Sequence, residues 1–221
     1  MHSVFVTFFE RGYTMKKTLD VFLRALCTGF AIGIGGAVYL SCDNKYLGAF
    51  LFGTGLFTIL TFGFNLFTGK VGYAVEREPA YILELLIVWL GNFGGAAISA
   101  YMLLNTRISG IADKARAMCE IKLADDLLSI FFLAFFCGML MFIAADGYKT
   151  IKNPVGQICV VFLPVVVFIL SGFEHCIANM FYFTIAEAWS FKALGYLMIM
   201  TLGNAVGGMF IPLVRKGFIK S

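Results

Sequence analysis

Ser171-Gly172-Phe173-Glu174-His175-Cys176-Ile177-Ala178-Asn179-Met180 sets a carboxylate beside an imidazole in the middle of an apolar run, Val155 to Ile185. A run of that length exceeds the roughly 20 residues a bilayer-spanning helix needs. Ionisable groups at membrane depth are costly, so they face a cavity or a partner and mark a functional site. Gly172, just ahead of the pair, predicts a break in the helix. Such a break is tolerated in a bilayer only where the freed backbone is buried in protein or lines water. The plainer alternative is a kinked helix whose histidine is satisfied in the core.

Composition extends this reading to the whole chain. Of 221 residues, 60% are hydrophobic and 14% charged, and the mean hydropathy is +0.88. Globular domains carry about 25% charged residues, so the chain reads as an all-α membrane protein crossing the bilayer several times. The net charge of +4 comes from Lys and Arg that flank apolar spans. They form no basic patch, which excludes nucleic acid as a partner. The six cysteines contain no CxxC pair, which argues against a zinc or thiol-redox motif. Cys176 directly follows His175, and neighbours in sequence do not face each other on a helix, so no Cys–His nucleophile is expected.

Six spans follow from the apolar segments: Asp20 to Ser41, Tyr46 to Val75, Pro79 to Leu104, Leu127 to Ala145, Val155 to Ile185 and Phe191 to Val214. A charged connector, Asn105 to Asp126, separates the third from the fourth. The domain division is therefore an N-terminal segment 1–19, one transmembrane domain 20–214 and a tail 215–221, with Met15 a candidate true start. If both termini share one side, that side holds ten basic residues, Arg11, Lys16, Lys17, Lys70, Arg77, Lys149, Lys152, Arg215, Lys216 and Lys220. The other side holds six, Lys45, Arg107, Lys114, Arg116, Lys122 and Lys192. The excess places both termini in the cytoplasm, in a cell inner (plasma) membrane.

Two short patterns recur in the same order. Gly63-Phe64-Asn65 in the second span matches Gly172-Phe173-Glu174 in the fifth, and Leu90-Gly91-Asn92 in the third matches Leu202-Gly203-Asn204 in the sixth. Three spans separate each motif from its mate. An odd number reverses orientation, so the halves are expected to be inverted three-helix repeats with the second and fifth helices broken, an aquaporin-like architecture. Inverted repeats set their broken helices opposite one another near the midplane, around a substrate path. Second half-helices starting after Thr68 and after His175 would aim N-terminal N–H groups at that point, which suits a small anion. Spans with few carboxylates offer nothing to hold a metal, and no cofactor is expected.

Gly172 to Met180 resembles the hallmark of the formate/nitrite transporter family, and Asn65-Leu66-Phe67-Thr68-Gly69 resembles its second-span loop. The resemblance runs from the first span to Arg215. It implies six helices assembled as a homopentamer, one pore per protomer, passing hydrosulfide, formate, nitrite or lactate. By motif, His175 takes the place of the central pore histidine and Thr68 that of the loop threonine. Lys122 matches a lysine ahead of the fourth span, and Asn204 a sixth-span asparagine near the pore. Phe52, Leu56 and Phe168 match the apolar constriction. Phe64-Asn65 and Cys137-Gly138 depart from the usual family residues and are similar to the hydrosulfide-channel branch, which places hydrosulfide ahead of formate or nitrite.

The mechanism expected is non-enzymatic passage of a weak-acid anion. Lys122 and the half-helix ends attract it, and the apolar ring strips its water. His175 then either transfers a proton or, staying neutral, donates a hydrogen bond. Glu174 is expected to bond freed backbone, and Asn92 and Asn204 to brace helix packing. Two rivals remain. A neutral-solute channel of the aquaporin type would also use inverted half-helices, though no Asn-Pro-Ala is present. An intramembrane haem enzyme would need a second histidine at depth, and the other histidine is His2.

Overall fold

The computed structural model describes residues 2–218, with backbone alone for 2–14 and 218. Residues 219–221 of the expected tail, and the side chains ahead of Met15, lie outside the described residues. The elements in chain order are α1 (His2–Ser41), α2 (Lys45–Thr61), α3 (Phe67–Lys70), a 3-10 turn (Val71–Val75), α4 (Tyr81–Leu104), α5 (Ile111–Ala124), α6 (Leu127–Thr150), α7 (Pro154–Leu170), α8 (Cys176–Ile185) and α9 (Phe191–Phe218). Among the described residues there is no strand. Four helices are long and apolar enough to cross a membrane: Met15–Ser41, Tyr81–Leu104, Leu127–Thr150 and Phe191–Gly217. Large apolar side chains such as Leu83, Leu90, Phe132 and Leu213 stand exposed on them, as a lipid-facing surface requires.

Local chemistry sets the boundaries. Asn44 and Asp126 accept from the first free amides of α2 and α6. Asn153 does the same for α7, with Pro154 at the first helical position where its missing N–H costs nothing. The charged connector turns out to be mostly helical. Ile111, Ala115 and Cys119 are buried at four-residue spacing in α5, an apolar stripe that the average polarity of the segment conceals.

Both expected breaks are present and built alike. Gly63 has φ +65° and Gly172 φ +70°, a left-handed conformation that glycine adopts without a Cβ clash. The two residues after each helix's C-cap, Phe62 or Ser171, close it the same way. Phe64 N–H donates to Ile59 O at 2.8 Å and Gly63 N–H to Leu60 O at 3.4 Å; Phe173 N–H donates to Phe168 O at 2.9 Å and Gly172 N–H to Ile169 O at 3.2 Å. Each is a Schellman termination, satisfying carbonyls that would otherwise be orphaned.

α1 packs on α4, and α6 on α9, as the two most extensive helix pairings. In each, a glycine permits the backbones to meet. A Cβ on Gly29 would collide with the Asn92 carbonyl, and one on Gly138 with the Asn204 carbonyl. Gly138, read in the sequence as a family departure, is therefore required by helix packing.

Candidate functional site: a buried histidine between two broken helices

The break after α7 delivers His175 as the N-cap of α8. Ala178 N–H donates to His175 Nδ1 at 3.0 Å. A ring nitrogen that accepts carries no proton, so the neutral ring holds its hydrogen on Nε2. That nitrogen donates to Thr68 Oγ1 at 2.9 Å. His175 is 2% exposed and Thr68 0%. The cap thus selects the neutral imidazole, and protonating Nδ1 would cost the helix its cap. The Thr68 hydroxyl hydrogen remains available to a third group.

Thr68 arrives differently from the expected geometry. The second half-helix begins at Phe67, with Leu66 as a cap that makes no side-chain bond, so Thr68 lies in its first turn and not ahead of it. The missing cap comes from α4. Phe67 N–H donates to Asn92 Oδ1 at 2.9 Å, while Asn92 Nδ2 donates to Ala25 O at 2.9 Å and Asn65 O at 2.8 Å. Asn204 repeats the arrangement from α9. It accepts from Cys176 N–H at 2.8 Å and donates to Ala134 O at 2.7 Å and Glu174 O at 2.8 Å. Asn204 therefore spends its polar atoms on backbone, behind the histidine, as a positioning residue. Phe67 N–H and Cys176 N–H, the first amide of each half-helix, are thus taken by asparagines. At the centre the side-chain hydrogen still unspent is that of the Thr68 hydroxyl, since the His175 Nε2–H is given to Thr68 Oγ1.

Apolar rings flank the histidine. Phe168 lies with its ring centroid 5.7 Å from that of His175, stacked, and 5.7 Å from Phe52, edge-on. Phe52 is 2%, Leu56 1% and Phe168 5% exposed. The chain thus brings His175, Thr68, Phe168 and Phe52 into one contiguous group, with Leu56 in the same core.

Glu174 does not bond freed backbone through its side chain. Its carboxylate accepts from Lys122 Nζ at 2.6 Å and from Asn179 Nδ2 at 2.8 Å. Side-chain exposures of 14% and 4% make Lys122–Glu174 a nearly dry ion pair. The lysine expected to attract an anion is thus neutralised by the residue beside the histidine.

A cleft of about 360 Å³ opens on Lys122, Glu174, Phe168, Tyr39, Lys45 and Tyr182. A second, of about 250 Å³, opens on Asn65, Lys70, Ile59, Leu66, Tyr148 and Lys149. Lys122 lies in the last turn of α5, five residues before α6 begins, and Lys149 lies in the last turn of α6. A helix of 24 residues is roughly 36 Å long, so the clefts open at opposite ends of the bundle. The sequence reading missed the Asn92 and Asn204 caps and the Lys122–Glu174 pair, each of which joins distant segments.

Comparison with known proteins agrees with this architecture. The family model for formate/nitrite transporters matches residues 9–215. The formate channel FocA of Haemophilus influenzae is 26% identical over 238 residues, covering 87% of this chain and 84% of its own. A formate-nitrite transporter of Plasmodium knowlesi is 25% identical over 244 residues, covering 92% and 77%. Among solved structures, a pentameric formate channel with formate bound superposes with a TM-score of 0.75 at 25% identity, covering 91% of this chain and 97% of that one. An ion channel of the same family gives 0.76 at 20% identity, covering 96% and 93%, a likeness of fold. The match spans nearly the whole chain, and the chain belongs to the formate/nitrite transporter family.

Proposed function

We propose that this protein passes small monovalent anions of weak acids across the cell inner (plasma) membrane, hydrosulfide first and formate or nitrite next. The observation that carries the reading is the buried Thr68–His175 contact, 2.9 Å long, lying between two clefts at opposite ends of the bundle. An anion leaving one cleft sheds water at Phe168, Phe52 and Leu56. It then meets the Thr68 hydroxyl, whose hydrogen is unspent and whose oxygen is held by the His175 Nε2–H. A dry constriction opposes a bare charge far more than a neutral molecule, so the species that crosses is the anion joined to a proton taken from water in the entry cleft and returned to water in the opposite one. His175 stays neutral and donates hydrogen bonds; giving its proton away outright would leave an imidazolate. Among the described residues, Glu174 is the one carboxylate lining either cleft, and Lys122 neutralises it.

The chain is read as six spans in two inverted halves, 20–214, with both termini cytoplasmic. Supporting the halves are the paired Schellman breaks and the paired Asn92 and Asn204 caps. A homopentamer is proposed from the likeness to a pentameric formate channel. The relatives are channels and transporters, and the protein is read as a channel and not an enzyme.

The test is parallel flux of hydrosulfide, formate and nitrite through purified protein in liposomes at two pH values. Flux of all three is expected, fastest for hydrosulfide and rising at the lower pH. Water or glycerol permeation without anion flux would overturn the reading in favour of a neutral-solute channel.

A further inference from the structure

Each cleft contains two lysines of different standing. In the first, Lys122 is bound to Glu174 at 2.6 Å. In the second, Lys70 is bound to Glu84 at 2.9 Å. The companions are not neutralised. Lys45 Nζ has a backbone carbonyl, Leu170 O, at 3.5 Å. Lys149 Nζ donates to the Tyr73 hydroxyl at 3.2 Å and lies 4.3 Å from the centroid of that ring. Neighbouring carboxylates are already engaged. Asp43 takes Lys114, and Asp146 takes Arg215 and the Tyr73 hydroxyl. Among the described residues, neither Lys45 nor Lys149 has a carboxylate within ion-pair distance, so each cleft keeps one uncompensated positive charge.

We propose that Lys45 and Lys149 are the anion-capture residues of the two mouths, and that Lys122 and Lys70 serve as structural ion pairs. This rests on the transport reading above. Exposed cations attract at long range in a salt-dependent way, whereas an ion pair presents little net charge to solvent. Lys149 is held by an aromatic face and a neutral hydroxyl, which leave its charge intact while fixing it at the rim.

The experiment is anion uptake by membrane vesicles of both orientations, using formate at low and high ionic strength. Lys149→Met is expected to raise the apparent KM about threefold to tenfold at low salt from one face, and Lys45→Met from the opposite face, both effects fading as salt rises. Lys149→Arg and Lys45→Arg should restore the wild-type KM. Lys192→Met, whose ammonium lies 5.6 Å from the Tyr196 ring and outside both clefts, serves as the control and should change neither face. Wild-type flux with unaltered KM in both methionine variants overturns this assignment alone. Absence of anion flux in the wild type overturns the transport reading and this inference with it.

Discussion

The breaks at Gly63 and Gly172 share a backbone and differ in chemistry. Each ends a helix with a left-handed glycine, and each anchors the next amide beyond the break to a partner helix, Asn65 N–H to Arg24 O at 3.4 Å and Glu174 N–H to Leu133 O at 3.3 Å. Each then has its half-helix capped by an asparagine from another element. The side chains diverge within that frame. Asn65 Nδ2 donates to Val21 O at 3.1 Å, while Glu174 holds a nearly dry lysine. Leu66 caps without a side chain, whereas His175 caps through Nδ1 and reaches Thr68 through Nε2. The two breaks share a backbone pattern, and their side chains differ most at His175, which has no counterpart at Leu66.

That contrast sets the sizes of the effects expected. Glu174→Ala strands a buried ammonium, and breaking such a pair costs about 3–5 kcal/mol. Asn65→Ala removes one part-buried hydrogen bond and should cost about 1 kcal/mol. Denaturant titration of the two variants in detergent measures the difference; equal losses would mean the halves are alike in chemistry too. Asn92→Ala and Asn204→Ala each remove three hydrogen bonds from a site of 0% exposure. Both should cost about 2–4 kcal/mol and agree with each other within about 1 kcal/mol. A large loss at one and none at the other would break the equivalence of the frames. Gly63→Ala and Gly172→Ala are each expected to cost about 1–2 kcal/mol from the left-handed backbone alone. Neither Cβ would meet a neighbour nearer than 3.9 Å, so a larger loss would reveal a packing role as well.

The breaks were legible because glycine and the residues beside it recur, and a histidine in an apolar run needs a purpose. The start of the second half-helix was not. Its cap is Asn92, far along the chain, and no local signal separates Phe67 from Thr68 as the first helical residue. Lys122 is visible only through resemblance, and the sequence does not show that its charge is balanced, because its partner, Glu174, lies two helices later. α5 was hidden by averaging: four-residue spacing of Ile111, Ala115 and Cys119 is a helical signal inside a segment that reads as polar connector.

In the proposed pathway the anion moves past a neutral imidazole that is presented by its own helix cap and bonded to Thr68. Formate flux through His175→Asn in liposomes tests that pathway. Asparagine can still cap α8, but its shorter side chain cannot span the distance to Thr68 Oγ1. The expected result is a folded protein whose flux falls about tenfold or more, corresponding to a lost buried hydrogen bond of about 1.5 kcal/mol or greater. Wild-type flux from a folded His175→Asn protein would contradict the claim.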